Sequence, residues 1–111
     1  MIDCPAFVLV RKATVVPESG RYRVEGVLFV EAGGNSAVAV FTNRELAVRF
    51  ARENGAPDAQ VGSFEDPIDF GYFLQEQRQA GFTHVCIDPL GMLPPLIPIG
   101  DALTSLADRS V

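Results

Sequence analysis

His84, Cys86 and Asp88 are the residues of this chain whose types and spacing bring potential chemistry together. They lie in Phe82-Thr83-His84-Val85-Cys86-Ile87-Asp88, and alternate residues of a strand share one face, roughly 7 Å from one to the next. An imidazole beside a thiol can generate a thiolate nucleophile, with a carboxylate to orient it. Such a strand face would make the chain a small enzyme or ligand-binding protein. The surrounding residues give the plainer reading. Phe82, Val85 and Ile87 make the strand apolar, and a cysteine in such company commonly packs as a small hydrophobe. Asp88 before Pro89 is an ordinary strand-ending turn.

A second set is positional. Ligands of α/β sheets bind beyond the carboxyl ends of parallel strands, and the pattern places Thr42, Asn43, Asp66 and Asp88 there. Asp66 and Asp88 could share a divalent cation only with further ligands. Glu65, Asp66 and Asp69 crowd the start of a helix, which disfavours an anion at that point. Capping explains the same residues with less. Gly33-Gly34-Asn35 lacks the spacing of a nucleotide-binding loop and precedes a strand, so it reads as a hairpin turn. No cofactor and no metal site is expected, because Cys4, Cys86 and His84 supply too few ligands of the usual kind.

The elements that carry these residues are legible from periodicity. Phe7–Val10, Tyr22–Ala32 and Ser36–Phe41 read as strands of an antiparallel meander, with Gly26 a candidate bulge and Pro17-Glu18-Ser19-Gly20 a turn. Phe7–Val10 is apolar enough to raise the question of an exposed edge. Ala37-Val38-Ala39-Val40-Phe41 is a continuous apolar run, as in a strand covered on both faces. Thr42-Asn43-Arg44-Glu45 matches a capping box. Leu46, Ala47, Phe50 and Ala51 then recur at helical spacing until Gly55.

A strand over Ala59–Phe64 precedes a helix opened by Asp66-Pro67 and closed by Gly81. Phe70, Phe73, Leu74 and Gln77 give that helix its buried stripe. Tyr72 points elsewhere and is a candidate contact residue. Gly71 weakens the helix interior by about 1 kcal/mol, which suggests a close neighbour. The order βββ-α-β-α-β predicts a mixed sheet with right-handed crossovers and helices packed on it.

Met92-Leu93-Pro94-Pro95-Leu96-Ile97-Pro98-Ile99 is apolar yet rich in proline, so it forms no regular helix or central strand. A short helix with Leu103 and Leu106 on one side follows. Met92, Leu93, Leu96, Ile97 and Ile99 would be an unusual patch to leave in water, so they and Tyr72 are the expected interface residues. The whole chain, 1–111, reads as a single domain with a proline-rich segment over 89–99.

The run Val38-Ala39-Val40-Phe41-Thr42, followed by Glu45, Phe50 and Gly55, and the later Gly81-Phe82 through Val85-Cys86-Ile87-Asp88-Pro89 resemble the SseB N-terminal domain family, named for a serine-sensitivity phenotype. The similarity spans about residues 5 to 91. It implies a small mixed α/β domain in a bacterial protein, and it brings no catalytic residue or cofactor. Asp88 stands where the family more often has asparagine, and the proline-rich tail is not part of its pattern.

Composition bounds the function classes. A chain of 111 residues with 48% hydrophobic residues and eight phenylalanines can build a core without metal or disulfide staples. Its net charge of −5, with eight arginines spread from Arg11 to Arg109 and a single lysine, disfavours nucleic acid. No apolar run is long enough to span a membrane, and Asp3 near the start argues against a signal peptide. A cytoplasmic location follows, in which Cys4 and Cys86 are expected as free thiols. The function expected is a non-catalytic protein–protein interaction domain that self-associates, as a homodimer, through the tail or a sheet edge.

Overall fold

A computed structural model describes residues 4–15, 22–91 and 94–109. Met92, Leu93 and the turn at Pro17–Gly20 lie outside the described residues. Within them the strands are β1 (Ala6–Val15), β2 (Tyr22–Val27), β3 (Phe29–Ala32), β4 (Asn35–Phe41), β5 (Gln60–Phe64), β6 (His84–Ile87) and β7 (Ile97–Pro98). The helices are α1 (Arg44–Glu53), α2 (Pro67–Gln79) and α3 (Ile99–Arg109). The result is a mixed sheet with helices on both faces, the α/β class that the pattern implies.

Residue parity assigns the layers. Val8 and Val10 of β1, Val38 and Val40 of β4, and Val85 of β6 face one side, where Phe70, Phe73 and Leu74 of α2 and Ile99, Ala102 and Leu106 of α3 cover them. Leu9, Ala39 and Phe41 face the other side and meet Ala47, Phe50 and Ala51 of α1. Buried area of this kind is the main favourable term in folding. Phe41 is fully buried, and its ring meets Phe50 at 5.3 Å between centroids, tilted by 55°. Tilted pairs of this kind add about 0.5–1.5 kcal/mol beyond the area they bury.

The meander is bent. β1 runs antiparallel to β2 and also to the end of β4 (Phe7 opposite Phe41), while β3 runs antiparallel to β4. These senses are incompatible with one straight strand over Tyr22–Ala32. The chain turns at Leu28, whose N–H donates to the Leu9 carbonyl at 2.9 Å and whose carbonyl accepts from the Ala39 N–H at 3.2 Å. Gly26 is not a bulge, because the β1–β2 register runs through it without an inserted residue. Its φ is +70°, and a Cβ there would come within 2.9 Å of the Arg11 Cβ.

β1 is not an edge either. It pairs with β5 on one side and with β2 and β4 on the other. The parallel pairing expected from the crossovers occurs between β4 and β6. β5, which lies between them in sequence, passes to the outer side of β1 and pairs with it antiparallel. Neither crossover therefore joins neighbouring strands.

From Ile97 the tail folds back on its own domain. Ile97 and Pro98 pair with Val85 and His84 as a short outer strand, which is where proline is tolerated in a sheet. Ile97 packs against the core, and Ile99 at the start of α3 is 1% exposed inside it. Ile99 is thus a core residue, not an interface residue.

The neighbourhood of Gly71 is also looser than the sequence suggests. A Cβ there would meet only Leu103 Cδ2, at an ordinary 3.9 Å. Two glycine substitutions should therefore have opposite signs in urea denaturation. Gly71→Ala is expected to stabilise by about 0.5–1 kcal/mol through helix propensity. Gly26→Ala should destabilise by more than about 1 kcal/mol, from the left-handed backbone and the Arg11 contact.

Candidate functional site

The carboxyl ends of β4, β5 and β6 all reach the same end of the sheet. Antiparallel pairing of β1 with both β4 and β5 aligns those two strands, and the parallel β4–β6 pair adds the third. Thr42, Asn43, Asp66 and Asp88 are consequently brought to one sheet end, together with Cys4, which precedes β1.

Asp88 organises that end. It closes β6 with φ of 51°, a left-handed conformation that aspartate tolerates better than most residues. Its backbone N–H donates to the Val40 carbonyl at 2.8 Å, continuing the parallel ladder one residue past β6. One carboxylate oxygen accepts from the Thr42 N–H at 2.9 Å and the other from the Thr42 hydroxyl at 2.8 Å. Hydrogen bonds to a carboxylate are stronger than those between neutral groups. The pair ties the exit of β6 to the exit of β4.

This use of Thr42 shifts the helix cap by one residue. Asn43 is the N-cap of α1, its side-chain oxygen accepting from the Leu46 N–H at 2.9 Å. The Thr42–Glu45 capping box is not formed. Asp66 caps α2 as its sequence suggests, accepting from the Ile68 N–H at 2.8 Å. Nearby, the Arg44 guanidinium lies 5.8 Å from the centre of the Phe7 ring, within cation–π reach.

His84 and Cys86 alternate along β6 and Asp88 lies just past its end, and the three are not assembled into a reactive set. His84 stands at the opposite end of β6 from Asp88, roughly 13 Å away along the strand. Its Nδ1 lies 2.7 Å from the Thr83 hydroxyl. Cys86 is fully buried beside Ala39. Burial pushes its thiol pKa up, and the nearby Asp88 charge pushes it the same way. A nucleophilic thiol requires the reverse shift.

Cys4 is half-buried and free, as Cys86 is free. Its pKa is also raised, by burial and then by Asp66. Cys4 packs into the α2–α3 side of the sheet, whereas strand parity turns Cys86 toward α1. Among the described residues no group of three His, Cys, Asp or Glu side chains could hold a metal ion. No helix among them is long and apolar enough to cross a membrane.

The Thr42–Asp88 pairing was not legible in sequence. The signal available was a polar residue that tolerates positive φ, set between a dry strand and a proline. Of the apolar residues expected at an interface, Leu96 and Ile97 are half-buried and Tyr72 is 54% exposed. Ile68, which no pattern in the sequence singles out, is 53% exposed one turn before Tyr72 on α2.

No protein-family model matches the chain, and no curated protein shows significant similarity to it.

Two consequences are measurable. Thr42→Val removes the hydroxyl donor and should cost about 1 kcal/mol in urea denaturation. Asp88→Ala removes both acceptors and leaves alanine in a left-handed conformation, so about 2–3 kcal/mol is expected. The Cys86 thiol has a folded pKa above its unfolded value, so its contribution to stability is full below the ordinary thiol value of 9.0 and is lost as pH rises through the raised value. Urea midpoints compared between pH 8 and pH 10.5, roughly either side of that thiol value, should fall more for the native chain than for Cys86→Ala.

Proposed function

We propose that this chain is a small non-catalytic protein–protein interaction domain that self-associates, and that its resemblance to the SseB N-terminal domain family reflects kinship. The observation that carries the reading is a contrast between two surfaces. At the sheet end, where α/β folds usually place ligand chemistry, the polar side chains are engaged with one another or with helix caps. On α2, by contrast, Ile68 and Tyr72 stand more than half exposed on adjacent turns. They border an open hollow between α2 and α3 whose floor includes Gly71, Leu103 and Leu106. Large apolar side chains grouped on a surface mark contact sites more often than isolated ones do.

The α2 face is a better candidate for self-association than the tail. Ile97 and Ile99 already serve the core. Replacing Leu96 and Ile97 would therefore mix a folding defect with an association defect, whereas Ile68 and Tyr72 are each more than half exposed.

Light scattering over a range of concentrations tests the reading. The native chain should grow in mass with concentration, and an Ile68→Ser, Tyr72→Ser variant should stay monomeric with its far-UV circular dichroism unchanged. A native chain that is monomeric throughout would overturn self-association. Rapid alkylation of the native Cys86 thiol would reopen the enzymatic reading on His84, Cys86 and Asp88.

A further inference from the structure

The outer side of β5 offers a different kind of surface, whose hydrogen-bonding directions follow from residue parity. In an antiparallel ladder a residue turns both its N–H and its C=O toward the same neighbouring strand. The Leu9 carbonyl accepts from Leu28, so Leu9 is turned toward β2 and away from β5. Val61 is opposite Leu9 and must therefore be turned away from β1, while Gly62 faces Val8 and bonds inward. By alternation Val61 and Ser63 both direct N–H and C=O to the open side. Among the described residues nothing hydrogen-bonds to these four groups.

Exposed edges are usually blunted by charged side chains, proline, a bulge or a covering element. Gln60-Val61-Gly62-Ser63-Phe64 carries no charge and no proline, and its register with β1 is unbroken. Over its α1 face lies a hollow of about 180 Å³ lined by Leu9 of β1, by Val48, Ala51 and Arg52 of α1, and by Pro57, Ala59 and Val61. Val48 is 40% exposed there. Free main-chain groups next to a hollow that can take an alternate side chain are the two parts that strand-addition sites combine.

Charge at the strand ends selects the occupant. Asp58 precedes β5, and Glu65 and Asp66 follow it, all exposed. A second copy pairing antiparallel about Gly62 would set Asp58 against Asp66 of the other copy at both ends of the ladder. Like charges placed opposite each other oppose pairing. An extended segment with an aliphatic centre and basic ends meets acid at each end instead. We propose that the free edge of β5 binds such a segment of another protein by strand addition, its β-branched side chains alternating toward the α1 hollow and its lysines or arginines lying beside Asp58 and Glu65. The proposal rests on the interaction-domain reading, but not on self-association through α2.

The test is a titration of the isotopically labelled full chain with an acetylated, amidated peptide, Lys-Lys-Val-Thr-Val-Thr-Val-Lys-Lys, and with its glutamate-flanked counterpart. The basic peptide should shift the amide resonances of Val61 and Ser63 and slow their hydrogen exchange. The acidic peptide should bind about tenfold more weakly or less. Ser63→Pro deletes an outward N–H without breaking a bond to β1, so it should lose peptide binding and keep its circular dichroism. Val61→Lys serves the same purpose should the proline variant fail to fold.

The Ile68→Ser, Tyr72→Ser variant should bind the peptide as the native chain does, which separates this proposal from self-association. No perturbation at Val61 and Ser63, equal binding of the two peptides, or native binding by folded Ser63→Pro would each overturn it. A dimer of the native chain that Ser63→Pro dissolves would overturn it in favour of a second copy.

Discussion

The dryness of β4 is the constraint around which the rest of the molecule is arranged. Ala37, Val38, Ala39, Val40 and Phe41 are all buried, the first three at 0% exposure, so water cannot satisfy their peptide groups. Buried backbone N–H and C=O groups must then find protein partners. On one side β4 finds them in β3, in the Leu28 carbonyl and in the end of β1. On the other it finds β6, and beyond the last residue of β6 the Asp88 N–H. The bend at Leu28 follows from this requirement. β2 must leave β1 so that β3 can serve β4, and the single residue at the corner bonds both strands.

Covering both faces of such a strand explains the rest of the layout. Valines 38 and 40 require an apolar lid from α2 and α3, and Ala39 and Phe41 require one from α1. Alanine at 39 admits α1 closely, while Phe41 fills the end of that layer against Phe50. Sending α1 to one face and α2 to the other means that β5 need not lie next to β4. It pairs outside β1 instead, so the sheet gains width while β4 keeps two neighbours. Among the described residues, the same arrangement leaves β5 paired on one side only.

Much of this was legible in sequence where the deciding forces are local. The apolar run at Ala37–Phe41 announces a strand covered on both faces. Pro67 after Asp66 announces a helix start, and the spacing of Phe70, Phe73, Leu74 and Gln77 identifies the residues that α2 buries. What was not legible depends on partners distant in the chain. Thr42 and Asn43 are both good caps, and only the arrival of Asp88, forty-six residues later, removes Thr42 from that role. The split of Tyr22–Ala32 depends on where β1 lies, which no local pattern encodes. Ile99 looks like tail until α3 is seen to start at it and carry it inward. Strand parity applies to His84 and Cys86 within β6, while Asp88 lies past the strand's last residue with φ of 51°. Parity could not say that His84 meets Thr83 and Asp88 meets Thr42.

The quiet of the sheet end has a topological reason. Crevices for ligands open in α/β sheets where the connections from neighbouring parallel strands leave for opposite faces. β4 and β6 meet this condition, since β4 leads to α1 on one face and β6 leads through the tail to α3 on the other. The crevice between their ends is where Asp88 reaches across to Thr42. The bridge lies at the surface, with buried Pro89 behind it and half-buried Leu90 packed into the α1 layer. A strand end tied in this way links the exits of the two strands that the core depends on most. In the proposed function, recognition falls to surfaces away from this end, namely the outer turn of α2 and the side of β5 that no described strand pairs. Both stand apart from the Thr42–Asp88 bridge, so a partner could load either surface without breaking a bond that holds β4 in place.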